Sequence, residues 1–192
     1  MIKLKIILGS TRDGRQGEKF AHWVMEQLKG NKIFSSELLD LKSFPLPYYE
    51  DELPAMMLKK PYMSKERALW ANKIAEGEAF IIITPEYNHG YPAVLKSALD
   101  TIYHEWNNKP VAFISYGGGA NGSRAVEQLR QVVIELQMAP IRESVHIGLF
   151  TGQEVFTQSG DMATPSNNGK LSKLLEQLSW WAEALTAARA KS

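Results

Sequence analysis

"EAFIIITPEYNHGYPAVLKSALD", residues 78–100, carries two patterns joined by a turn. Residues 79–83 form an unbroken apolar run, which suits a strand covered on both faces. Pro85 removes an amide donor and ends that strand. Val94, Leu95, Ala98, Leu99 and Ile102 then recur at helical spacing. A buried strand followed by an amphipathic helix is half of a crossover unit, and crossovers join parallel strands.

Similar apolar runs occur at "KLKIILGS" (3–10), "KIFSSELLDL" (32–41) and "PVAFISYGG" (110–118), with a weaker one at "IRESVHIGLF" (141–150). Further helical stripes are Phe20, Val24 and Leu28; Val126, Leu129, Val133 and Leu136; and Leu171, Leu174, Leu175, Leu178 and Leu185. Alternating strands and helices predict a three-layer α/β fold with a doubly wound, five-stranded parallel sheet in the flavodoxin-like order 2-1-3-4-5. The 192 residues suit one domain, 1–192, with insertions at 42–67 and 151–169. Long insertions usually form functional rims or interfaces. The first holds three of the seven tyrosines, which favours a rim or a subunit contact. Trp106 is expected in the core. Of the adjacent Trp180 and Trp181, one should face the core and the other the surface.

With 22 basic and 21 acidic residues the net charge is +1, which argues against nucleic acid and anionic membrane as partners and favours a small molecule. There is no cysteine, so thiolate catalysis, Cys-ligated zinc and iron–sulfur clusters are excluded, and redox chemistry needs a borrowed cofactor. His22, His89, His104 and His146 have no metal-binding spacing, so no metal is expected. The apolar start is too short for a signal peptide and no run reaches membrane-span length, so a cytoplasmic location is expected.

In an open parallel sheet, ligands bind beyond the carboxyl ends of the strands where strand order reverses. The first, third and fourth strands meet there, and each ends unusually. After the first comes "GSTRDGRQGEKF": glycines for tight turns, Ser10 and Thr11 hydroxyls, the guanidinium forks of Arg12 and Arg15, and a helix starting near Gln16. Such a helix start with two arginines is a phosphate receptor. It is neither the Gly-x-Gly-x-x-Gly dinucleotide pattern nor a nucleoside-triphosphate loop. After the third strand, Asn88 and Gly90 are turn formers that take left-handed backbone readily, and His89 is either a helix cap or an edge contact. Main-chain groups of such a turn suit a planar heterocycle with alternating donors and acceptors. After the fourth comes "SYGGGANGSRAVEQLR", where consecutive glycines permit close approach of a flat ligand and Tyr116 stacks on a ring or walls it off. A phosphorylated receiver domain is excluded, because Gly9-Ser10 and Thr84-Pro85 stand where it needs acids. A Gly-x-Ser-x-Gly hydrolase elbow is also absent.

"GSTRDGRQG", "TPEYNHGYPAVLKSALD" and "KPVAFISYGGGANGSRAVEQLR", in this order, resemble the NADPH-dependent FMN reductase family over roughly residues 2–150. The resemblance implies a flavodoxin-like fold, bound FMN, NADPH or NADH as electron donor, and a homodimer or homotetramer. It puts the FMN phosphate against Ser10, Arg12, Arg15, Gln16 and Gly17, with Thr11 beside them. The isoalloxazine ring falls against Pro85, Glu86, Tyr87 and Asn88, with Tyr116, Gly117 and Gly118 on its other side. Many members carry Ser and Asn where this chain has Arg15 and Gly17, which shifts the implied phosphate contacts toward guanidinium and backbone. The implied activity passes hydride from NAD(P)H through FMN to a quinone, flavin, azo compound or metal oxyanion. Backbone dipoles suffice to stabilise charge on the reduced ring, so no catalytic side chain is named. The rival is a flavodoxin-type electron carrier serving protein partners. Such carriers are strongly acidic, and the near-neutral charge of this chain favours the enzyme.

Overall fold

The computed structural model describes residues 1–58, 60–150, 152 and 154–191; Lys59, Thr151 and Gln153 of the expected insertions, and Ser192, lie outside the described residues. The elements in chain order are β1 (Ile2–Leu8), α1 (Gly17–Gln27), β2 (Phe34–Asp40), α2 (Lys65–Glu76), β3 (Ala79–Pro85), α3 (Ala93–Asp100), β4 (Pro110–Gly117), α4 (Ser123–Glu135), β5 (Ala139–Gly148) and α5 (Pro165–Arg189). All neighbouring strands pair in parallel, in the order β2-β1-β3-β4-β5 that the pattern predicts.

Strand side chains alternate between two cores. Leu4, Ile6, Leu8, Ile81, Ile83 and Ile114 pack with Phe20 and Val24 of α1 and with Leu171, Leu174 and Leu178 of α5. Ile7, Phe80, Ile82 and Phe113 pack with Trp70 and Ile74 of α2, Leu95 and Leu99 of α3, and Leu129 and Val133 of α4. Every residue of β3 and β4 is buried, which explains their continuous hydrophobicity. Each buried aliphatic or aromatic side chain contributes about 1.5–3 kcal/mol. Trp106 is fully buried, edge-on to Trp70 at 6.1 Å and to Phe80 at 5.2 Å. Trp180 is exposed while Trp181 packs against the core.

The first insertion is shorter than expected, because its end is α2. Ser64 caps that helix, its hydroxyl accepting from the Arg67 amide at 3.2 Å. The excursion before it contains short 3-10 turns at Leu41–Ser43 and Ala55–Met57. Its returning end is tied to the fully buried Glu105 carboxylate, which accepts from the Tyr62 hydroxyl at 3.0 Å and from Lys60 Nζ at 2.6 Å. Burial, with Glu105 beside it, pushes the Tyr62 hydroxyl pKa up. In the second excursion, Phe156 and Met162 form an antiparallel bridge and Phe156 lies 5.0 Å from Phe20. With β2 outside β1 on one side and β3 and β4 on the other, the order reverses beside β1, and the turns after β1, β3 and β4 share one rim.

Candidate functional site

The turn after β1 starts against the sheet. Gly9 donates to the Ile83 carbonyl at 2.8 Å, and a side chain at Gly9 would sit 3.0 Å from that same oxygen. Ser10 is buried, its hydroxyl 2.8 Å from the Tyr87 hydroxyl, so the first turn is linked to the turn after β3. Arg12 is exposed, and its guanidinium has no hydrogen bond or ion pair with another described residue. Thr11 is half-buried beside it, and Gln16 is the exposed residue at the start of α1.

Arg15 corrects the sequence expectation of a second free fork. Its side chain is 3% exposed. Nε and Nη2 donate to Glu18 at 3.1 and 2.9 Å, Nη1 donates to Asp40 at 2.7 Å and also to the Ser10 carbonyl, and Nη2 donates to the second Asp40 oxygen. A guanidinium has five N–H donors, and these contacts engage all of them. The hydrogen bond to Asp40, then that to Glu18, raises the Arg15 pKa against the effect of burial. Asp13, on the same turn, pairs with Lys42 at 2.7 Å.

Tyr116 also differs from expectation. Its ring does not wall off the rim; it is buried and stacked on Phe20 with centroids 4.8 Å apart. Its hydroxyl reaches toward Gly17 at the start of α1. A side chain at Gly17 would lie 2.7 Å from that hydroxyl and 2.6 Å from Leu8, so glycine is what lets the helix start approach the sheet. Burial, with Tyr87 nearby, raises the Tyr116 pKa.

After β3 the chain makes a tight reversal. Tyr87 and Gly90 exchange both backbone hydrogen bonds, at 2.8 and 3.0 Å, with Asn88 at φ 49° and His89 at φ 71°. Two successive left-handed residues define a type I′ turn. Gly90, expected to adopt that conformation, does not; His89 takes the place. His89 is not a helix cap either, because Pro92 occupies the N-cap of α3. Its Nε2 accepts from Arg124 at 2.9 Å. Glu86 donates its amide to the Tyr116 carbonyl at 3.1 Å, and its Oε1 accepts from Arg124 Nε at 2.6 Å. Oε2 is buried without a hydrogen-bond partner among the described residues.

The turn after β4 is shaped by main chain. Asn121 has φ 55° and Gly122 φ 82°. A side chain at Gly122 would meet the Tyr116 amide nitrogen at 2.8 Å. Ser115 donates to the Asn121 carbonyl at 3.0 Å, so His146 Nδ1, 2.6 Å from the same hydroxyl, donates to it. Ser144 lies 2.8 Å from Nε2. Burial, then Arg130, holds the His146 pKa below its ordinary value. Gly118 would place a side chain 3.6 Å from Phe150, and Gly119 would meet nothing within 4 Å.

A cation unpaired among the described residues, beside a helix start at one end, and bare glycine backbone at the other, are the groups that a phosphorylated flat heterocycle requires. The residues fit FMN. The sequence alone did not single out Asp40, Ser115 or Arg124, whose partners lie 25, 31 and 38 residues away. Among the described residues, no group of three His, Asp or Glu could hold a metal, and no helix is long and apolar enough to cross a membrane.

The fold is that of the flavodoxin-like redox proteins. A flavoenzyme NAD(P)H:acceptor oxidoreductase of Paracoccus denitrificans superposes with a TM-score of 0.79 at 20% identity, covering 96% of this chain and 98% of that one. An NAD(P)H-dependent FMN reductase of Schizosaccharomyces pombe is 39% identical over 140 residues, 72% of this chain and 70% of that protein. An NAD(P)H:quinone oxidoreductase of Solanum tuberosum is 30% identical over 141 residues, 72% of this chain and 70% of that protein. The model of the NADPH-dependent FMN reductase family matches residues 2–152, and the chain belongs to that family. It is an NAD(P)H-dependent oxidoreductase that uses FMN. The electron-carrier reading gains no support from these relatives.

Proposed function

We propose that the turns after β1, β3 and β4 hold FMN on their shared rim, and that a small electron acceptor follows the nicotinamide into the slot above it. The convergence of these turns at the strand-order reversal is the observation that carries this reading. Bound FMN supplies the redox chemistry, taking hydride from NADPH or NADH and delivering the electron pair to the acceptor. Ser10, Thr11, Arg12, Gln16 and the Gly17 helix start receive the phosphate. Pro85, Glu86, Tyr87 and Asn88 border the ring on one side. The main chain of Tyr116, Gly117 and Gly118 borders it on the other and directs dipoles at its developing charge. Arg12, the exposed guanidinium of this rim without a carboxylate partner among the described residues, carries most of the phosphate charge balance.

Quinones and free flavins are the favoured acceptors, on the names of the relatives, with azo compounds and metal oxyanions next. The chain works in the cytoplasm as one FMN-binding domain, 1–192, and pairs into a homodimer or homotetramer. Exposed Tyr48, Met56, Met57 and Met63 on the first excursion support a subunit contact. NADPH added under nitrogen should bleach the flavin spectrum of the FMN-loaded protein, and a benzoquinone should restore it. Persistence of the oxidised spectrum would remove the reductase reading.

A further inference from the structure

The phosphate end of the rim is held from behind. Asp40 ends β2, the edge strand beside β1, and its carboxylate faces Arg15 across the sheet edge. One Asp40 oxygen accepts from Arg15 Nη1 at 2.7 Å and from the Lys42 amide at 2.9 Å; the other accepts from Arg15 Nη2. Arg15 in turn donates to the Ser10 carbonyl, within the turn that presents Ser10, Thr11 and Arg12. With all its donors engaged, Arg15 has none to offer a phosphate. Its charge is met by Asp40 and Glu18, whereas Arg12 has no such partner among the described residues.

We propose that Asp40 is a positioning residue for the phosphate end of the cofactor, acting through Arg15, whose fork it holds in the wall behind the turn. This rests on the placement of FMN given above. Asp40 presents its two oxygens side by side, and only a planar fork spans them while also reaching Glu18 and the Ser10 carbonyl. Lysine keeps the charge but concentrates its donors at one point, so it cannot bridge these acceptors. Asp40 and Arg15 therefore act as one unit, and loss of either releases the Ser10 carbonyl.

The test is titration of the apoprotein with FMN and with riboflavin, which lacks the phosphate, following quenching of flavin fluorescence. Asp40→Asn, Arg15→Lys, the double variant and Arg12→Ala are compared with the parent chain. The expected result is that Asp40→Asn and Arg15→Lys each weaken FMN binding by roughly tenfold to a hundredfold, the range for hydrogen bonds to charged groups. Riboflavin binding should change far less, and the double variant should be no weaker than the worse single one. If Arg15 instead bound phosphate directly, Arg15→Lys would keep most of the preference for FMN and Asp40→Asn, which removes one acceptor and frees a donor, would strengthen it; either result overturns the proposal. A variant that loses both ligands together also counts against it. If Arg12→Ala abolishes the preference for FMN while the other variants keep it, the proposal falls and the placement of FMN stands. If the parent chain shows no preference for FMN over riboflavin, the placement itself falls.

Discussion

The turn after β1 and the turn after β4 lie on one rim with β3 between their strands, yet different forces shape them. In the first, charged side chains do the holding: Arg15 reaches Asp40, Glu18 and the Ser10 carbonyl, and Asp13 reaches Lys42. In the second, the main chain does it, through left-handed Asn121 and Gly122 and one buried hydroxyl, that of Ser115. A charged clamp can lose a member without a steric clash, which leaves the backbone room to settle. A turn built on a backbone conformation has no such reserve, because the replacement residue must adopt the same angles or the turn moves.

Gly122→Ala gives the sharpest contrast. The left-handed backbone and the 2.8 Å approach to the Tyr116 nitrogen both oppose a Cβ. Strain and overpacking together cost about 2–5 kcal/mol, so thermal melting should move down by on the order of 10 °C. An unchanged melting temperature would break the distinction between the two turns. A smaller effect is expected where the rim is stitched by the bond between Ser10 and Tyr87. Tyr87→Phe leaves the buried Ser10 hydroxyl short of a partner, a loss of about 1–3 kcal/mol, and FMN affinity should fall severalfold by titration. Retained affinity would show that the first turn stands without the turn after β3.

The smallest effect concerns acid. The folded chain holds His146 below its ordinary value of about 6.5, mainly through burial. Between that lowered value and about 6.5 the unfolded chain binds more protons, so this group makes stability rise with pH across the window and fall on acidification. Urea midpoints at pH 7 and pH 5 should therefore separate more for the parent chain than for His146→Gln. Equal separations would free the turn after β4 from any dependence on this imidazole.

The strands were legible because β3 and β4 are buried on both faces and their apolar runs admit few other readings. The apolar pattern did not reveal helix α2: its first three residues fall in the expected insertion, only Arg67, Trp70, Ala71 and Ile74 of its twelve are buried, and Arg67 is held by an ion pair with Asp51. Ser64 followed by Lys65-Glu66-Arg67 was the available capping signal. At the rim, residue types pointed to the turns after β1, β3 and β4, which the strand order brings to one edge of the sheet, but the partners of each side chain lie far away in sequence. Arg12 and Arg15 look alike in "GSTRDGRQG", and only Asp40, contributed by the neighbouring strand, tells them apart. Tyr116 likewise reads as a ligand-facing aromatic, whereas the pleat turns its ring inward to Phe20.

Glu105 has a wider consequence. Its carboxylate, fully enclosed, fastens Tyr62 and Lys60 where the long β2–α2 excursion comes home. The crest of that excursion, with Tyr48, Leu53 and Met56 turned outward, is thereby free to change composition without disturbing the foundations beneath it.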